Sequence, residues 1–200
     1  YPFPDKKTAW AWWARNIYFN RYVEAPKPVY NDLFSIVKDK EYFVITTNVD
    51  HQFQRAGFDK KRLFYTQGDF GLFDVPENRE ISMKIPTEMI PKCPADDSDV
   101  TMNLRVDSSF VEDAGWHRAS KAYSDFLEKY KDKHILFLEL GVGNNTPVII
   151  KYPFWQMVIE NKNSVYACIN YKEAFCPTQI KDRSICIDGD IGDVLEKIME

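Results

Sequence analysis

Four short stretches gather amide, carboxylate and glycine residues: Thr47-Asn48-Val49-Asp50, Gln67-Gly68-Asp69, Gly141-Val142-Gly143-Asn144-Asn145, and Asn170 at the end of an apolar run. Asn48, Asp50, Gln67 and Asn170 carry donors and acceptors that suit ribose hydroxyls and a carboxamide. Gly68, Gly141 and Gly143 lack a Cβ, so the backbone N–H groups beside them can approach a phosphate closely. Together these groups have the chemistry of a nucleotide site. The Gly141 to Gly143 spacing serves a tight turn equally well, so the combination carries the inference rather than any one stretch.

Such residues act together only if strand ends bring them to one crevice. Residues 42–46 (YFVIT) and 134–140 (HILFLEL) are continuous apolar runs that predict strands buried on both faces. Residues 63–65, 164–170 and 184–187 predict three more. Helices are predicted over 8–22, with Thr8 as N-cap and Trp10, Trp13 and Ile17 on one face, and around Tyr30, Leu33, Phe34 and Val37. Further helices follow around Tyr123, Phe126, Leu127 and Tyr130, over 147–161 with a kink or break at Pro153, and around Ile191, Val194, Leu195 and Ile198. Helix alternating with strand predicts an α/β fold built on a doubly wound parallel sheet. In such sheets ligands bind outside the carboxyl ends of the strands, where all four stretches fall. Residues 74–113, rich in proline and carrying an acidic turn at Asp96-Asp97-Ser98-Asp99, read as a small insertion lobe between a nucleotide-binding domain formed by 1–73 and 114–200.

With 200 residues and 44% hydrophobic content the chain can bury a sizeable core. A net charge of -4 gives no basic footprint for nucleic acid. No apolar run reaches the roughly 18 residues of a membrane span, and Tyr1-Pro2-Phe3-Pro4 has no signal-peptide character, so a soluble cytoplasmic protein is expected. Four cysteines without a C-x-x-C pair and three histidines predict free core thiols and no metal site.

The order of the motifs is more specific than any one of them. Thr47-Asn48-Val49-Asp50 followed by Gln54-Arg55-Ala56-Gly57 resembles the sirtuin T-Q-N-I-D…H-Q-R-A-G signature, with Asn48 aligned and Thr47 in place of the glutamine. Gln67-Gly68 stands where sirtuins have their catalytic His-Gly. Gly141 to Pro153 resembles the sirtuin nucleotide loop, Ile169-Asn170 the pair that holds the adenosine ribose, and Gly189 to Asp193 the loop under the adenine. TTNVDHQF, TQGDFG, NLRVDSSFVED and LELGVG most resemble the class M sirtuins of bacteria and fungi. That resemblance implies a Rossmann-like sirtuin fold, NAD as cofactor, and protein ADP-ribosyltransferase activity in place of deacylation. It also implies two partners, a macrodomain protein and a lipoylated carrier of the glycine cleavage H type. On the same grounds Asn48 orients the nicotinamide ribose, Asp50 holds the carboxamide and Gln67 positions the ribose or the acceptor. Thr47, Gly68, Gly141, Gly143, Asn145, Asn170 and Ile191 then bind cofactor.

Chemistry agrees with the substitution of Gln67. Deacylation needs a base near neutrality, for which histidine is suited and glutamine is not. Transfer to a carboxylate needs positioning and electrostatic stabilisation but no deprotonation. His51 is open to two readings, a substitute base or a local hydrogen-bonding residue at the start of the next helix. Two departures stand out: residues 1–8 do not match the G-A-G-x-S phosphate loop of sirtuins, which predicts a missing N-terminal segment and weak NAD binding, and only Cys93 remains of the usual zinc cysteines. A deacylase and a non-catalytic NAD or ADP-ribose binding module are the alternative readings.

Overall fold

In the computed structural model, which describes residues 2–72, 87–106, 108, 110–144 and 147–200, Asp5 rather than Thr8 starts the first helix. The Asp5 carboxylate accepts from the Thr8 N–H at 2.8 Å, so Thr8 lies inside the first turn of α1, Lys6–Ile17. Aspartate caps a helix at least as well as threonine, and Asp5 has the extended backbone a cap requires. The chain then enters a π-helical turn, Tyr18–Tyr22. Ile17 is fully buried and packs with Trp13, while Trp12 and Phe19 remain about half exposed at 48% and 49%.

The remaining elements follow in the predicted alternation: α2 (Val29–Val37), β1 (Val44–Thr46), α3 (Gln52–Arg55), β2 (Leu63–Tyr65), α4 (Ala114–Tyr130), β3 (Leu136–Leu140), α5 (Lys151–Glu160), β4 (Val165–Asn170), β5 (Ser184–Asp188) and α6 (Ile191–Met199). All pairings between these strands are parallel, and they form two hydrogen-bonded pieces, β1 with β2 and β3 with β4 with β5. Thr46 lies opposite Tyr65 and Leu140 opposite Ile169, so the carboxyl ends within each piece are level. Pro153 does not break α5: as its third residue it sits where a backbone N–H has no partner within the helix, and its missing donor costs nothing.

One core cluster lies between α5 and the sheet, with Phe137, Phe154, Val158 and Tyr166 at its centre. A second, around Leu33, Phe58, Ile169 and Leu195, draws Val44 from β1 and Leu138 from β3 into one apolar body. Full burial of side chains such as Leu195 and Val158 stabilises the fold by about 1.5–3 kcal/mol each. Ile191, Val194 and Leu195 of the predicted α6 stripe join the second cluster, whereas Ile198, near the helix end, is exposed. The four cysteines are free, but only Cys168 is buried; Cys186 is exposed on β5, because that strand has a neighbour on one side only.

Residues 74–86 of the predicted insertion lobe lie outside the described residues. From 87 onward the segment holds a short helical turn, Thr87–Met89, and two isolated bridges, Lys92 to Asp99 and Gly68 to Leu104. The second bridge requires glycine: Gly68 has φ +98, and a Cβ there would stand 2.2 Å from the Asn103 carbonyl oxygen. Gly68→Ala is therefore expected to cost about 1–3 kcal/mol, read as a fall in the thermal midpoint; an unchanged midpoint would show that this bridge bears no strain.

Candidate functional site

The loops after β1 and β2 run side by side. The Thr66 N–H donates to the Thr46 carbonyl and the Phe70 N–H to the Val49 carbonyl, both at 2.9 Å. Buried Thr46 turns the chain out of its strand by accepting from the Asn48 N–H through Oγ1 at 3.0 Å. Asp50 begins α3 as an Asx turn, its Oδ1 accepting from the Gln52 N–H at 3.1 Å. The Gln52 side chain, itself buried, donates to the Asn20 carbonyl at 2.7 Å and holds the π-helical turn against this loop.

Asn48 and Asp50 meet through Tyr30, a residue that the sequence places only in a predicted helix. The Tyr30 hydroxyl donates to Asp50 Oδ2 at 2.8 Å and accepts from Asn48 Nδ2 at 3.0 Å. Burial, then the charge of Asp50 and the hydrogen bond to it, raises the Tyr30 phenol far above its ordinary range, so it stays protonated and continues to donate. Its ring meets Phe53 edge-on at 4.9 Å between centroids. Spacing showed Tyr30 as part of the α2 stripe and gave no sign that its hydroxyl faces a different loop. Tyr30→Phe keeps the ring contact and removes the bridge. It is expected to lower turnover about tenfold, as loss of one or two hydrogen bonds would, with little change in thermal midpoint; a comparison of initial rates and melting curves checks it.

On the neighbouring loop, Gln67 is partly buried, and its carbonyl accepts from the Arg105 N–H at 3.0 Å. The indole of Trp116, in the first turn of α4, donates to the Thr66 carbonyl at 3.2 Å, so α4 supports this strand end from behind. Asp69 is surrounded by donors. Burial pushes its carboxyl pKa up, but hydrogen bonds from His51, Arg21 and the Gly71 N–H outweigh that and hold it below the usual carboxylate range. His51 stands at the start of α3 with φ +63 and does not cap that helix; its Nδ1 lies 2.6 Å from Asp69 Oδ2.

The strand ends of the second sheet piece border a separate open cleft of about 330 Å³. Gly141, Asn170 and Ile191 line it together with Gly189, Asp190 and Lys27. Gly141 adopts φ +68 and its N–H donates to the Ile169 carbonyl at 3.0 Å, while Asn170 Nδ2 donates to the Val142 carbonyl at 2.9 Å. Asp190 caps α6 by accepting from the Gly192 N–H at 2.9 Å and pairs with Lys27 at 3.0 Å. Its size falls within the range of small-molecule sites. Lys27 also lines a second cleft of about 640 Å³, whose wall includes Tyr30, Gln52 and Arg55. One lysine thus stands in the walls of both spaces.

The structure therefore brings Asn48 and Asp50 together through Tyr30, and Gly141, Asn170 and Ile191 around one cleft. Gly143 does not line that cleft and lies against Glu173, which accepts from the Asn144 N–H at 3.1 Å. Gly68 serves the bridge to Leu104, Thr47 lines neither space, and Asn145 lies outside the described residues. Among the described residues no three His, Cys, Asp or Glu side chains converge as metal ligands would. No helix among them is long and apolar enough to cross a membrane.

No family model matches the chain. It is 32% identical over 213 residues to a protein ADP-ribosyltransferase of Staphylococcus aureus, an alignment that takes in 98% of this chain and 68% of the relative. Identity is 26% over 207 residues to a probable bifunctional ADP-ribose hydrolase/ADP-ribosyltransferase of Fusarium oxysporum f. sp. cubense, covering 86% of this chain and 34% of that protein. Among solved structures, a Sir2 homologue in complex with ADP-ribose superposes with a TM-score of 0.60 at 14% identity, over 97% of this chain and 73% of the other. A second Sir2 enzyme superposes at 0.56 and 17% identity, over 96% and 74%.

Proposed function

Because this chain belongs to the family of protein ADP-ribosyltransferases and has the fold of Sir2 enzymes, we propose that it transfers ADP-ribose from NAD to a carboxylate side chain of a lipoylated, glycine cleavage H-like carrier protein. The observation that supports this most directly is the Tyr30 bridge between Asn48 and Asp50, next to a strand end that carries Gln67 in place of a titratable base. NAD supplies a ribose carbon activated for substitution by a positively charged nicotinamide leaving group. The chain's own residues fit it. Asn48 orients the nicotinamide ribose with its amide, and Asp50 accepts from the carboxamide. Tyr30 holds both in place. Gln67 can hydrogen-bond ribose or acceptor but cannot take a proton at any ordinary pH, which suits an acceptor that is already ionised. Around the smaller cleft, Asn170 binds the adenosine ribose, Gly141 admits it closely and Ile191 covers the adenine.

A macrodomain protein is the second partner in this reading, and the cytoplasm the compartment. Nicotinamide release, followed with lipoylated carrier, unlipoylated carrier and no carrier, tests the whole proposal. The expected result is release that depends on the lipoylated carrier and leaves ADP-ribose on an Asp or Glu of it. Release indifferent to the carrier would overturn the choice of acceptor, and tight NAD binding without any release would favour a binding module.

A further inference from the structure

Three segments far apart in sequence meet at one carboxylate beside the candidate site. Arg21, from the π-helical turn, donates from Nε to Asp69 Oδ1 at 3.0 Å; the Gly71 N–H donates to the same oxygen at 2.6 Å; and His51 Nδ1 lies 2.6 Å from Oδ2. A carboxylate only accepts, so His51 Nδ1 carries the hydrogen and donates. Arg21 Nη2 lies 3.3 Å from that ring nitrogen, but a guanidinium only donates, so here it contributes charge rather than a second bond. The Arg21 and Asp69 side chains are 16% and 14% exposed, a setting in which charge-assisted bonds keep their strength.

The backbone of His51 is the second observation. At φ +63 a residue with a Cβ is strained, and such strain persists where surrounding contacts hold it. Glycine would meet the turn without strain, but it has no side chain to reach Asp69. Histidine does both at once, and Asp69 is two residues beyond Gln67 just as His51 is three beyond Asn48.

We propose that His51 is a positioning residue for the transfer reaction: by donating to Asp69 it fastens the Gln67 loop to the Asn48 and Asp50 loop and fixes their spacing. Its kinetic consequence rests on the transferase reading. The imidazole acts on the loops and takes no proton from the acceptor.

Two substitutions separate the ring's role from the turn's. His51→Gly keeps the backbone conformation and deletes the donor. His51→Asn tolerates the same conformation and places its Nδ2 the same number of bonds from the backbone as the imidazole Nδ1. Initial rates of carrier modification and amide hydrogen exchange are measured on wild type and both variants. The expected result is a roughly tenfold fall in kcat for His51→Gly with KM for NAD within about twofold, and roughly tenfold faster exchange over residues 66–71. His51→Asn is expected to recover most of both. The proposal falls if His51→Gly keeps its kcat, if exchange in that loop is unchanged, or if His51→Asn is no better than His51→Gly. Should wild type release no nicotinamide, the transferase reading fails by itself, and the exchange rates of the two variants still decide whether His51 fastens the loops.

Discussion

Asn48→Ala is expected to abolish ADP-ribosyl transfer from NAD, lowering turnover by at least about a hundredfold, with the fold intact. The amide is the group in the Tyr30 bridge that can both donate to and accept from a ribose: Nδ2 gives one hydrogen to Tyr30 and carries a second, whereas the Asp50 carboxylate only accepts. Asn48 is exposed, and its backbone N–H bond to Thr46 survives truncation of the side chain. Exposed substitutions of this kind change stability by no more than about 0.5 kcal/mol, so a melting curve unchanged beside a rate near background is the expected pair of results. A rate within tenfold of wild type would mean that Asn48 serves the turn alone, and the assignment of the β1 end to the nicotinamide ribose would fail with it.

The second large effect lies between β3 and α5. Lys151 and Glu139 are both fully buried, with Nζ 2.9 Å from Oε1. The geometry is that of an ion pair rather than a directed hydrogen bond, since among the described residues the ammonium has no hydrogen-bond partner despite that distance. The Phe175 ring, its centroid 4.9 Å from Nζ, also contacts the cation. Glu139 also accepts from the Tyr166 hydroxyl and from Cys168, whose thiol is pushed up to about 11 by burial and then by the Glu139 charge. Lys151→Met would leave that carboxylate buried without its counter-ion, which costs about 3–5 kcal/mol. For a domain of this length the thermal midpoint should fall by roughly 6–20 °C.

Replacing both partners, Lys151→Met with Glu139→Leu, removes the charges together and is expected to recover most of the loss. A double variant as unstable as the single one would show that packing, not the uncompensated charge, sets the cost. The pair has a place in the site because of where its members sit. Glu139 is two residues before Gly141 and Lys151 opens α5, so they tie the two ends of the loop that carries Gly141 and Gly143. Loss of the pair should therefore also weaken NAD binding.

Much of this arrangement was legible in the residues themselves. Apolar runs with β-branched and aromatic side chains marked the strands, and the stripe of Ile191, Val194, Leu195 and Ile198 marked α6, because burial on a sheet face imposes those periods on any chain. Local choices between equivalent signals were less legible. Thr8 and Asp5 are both good caps, and Pro153 is a breaker or a first-turn residue according to where the helix begins; neither question has an answer within a few residues of sequence.

By itself the sequence determined the α/β alternation, the placement of Asn48, Asp50, Gln67, Gly141 and Asn170 at strand ends, and the absence of a histidine at position 67. These follow from chain-local chemistry: a side chain's hydrogen-bonding capacity and a strand's hydrophobic pattern are fixed by residue type. Tertiary structure alone decided that the Tyr30 hydroxyl joins Asn48 to Asp50, that Arg21 and His51 share Asp69, and that Gly143 stands away from the cleft Gly141 lines. Each of these is a directional contact over a few ångströms between segments tens of residues apart. A spacing rule does not encode it, because its geometry exists only once the loops that carry the partners have been set against one another by the packed helices behind them.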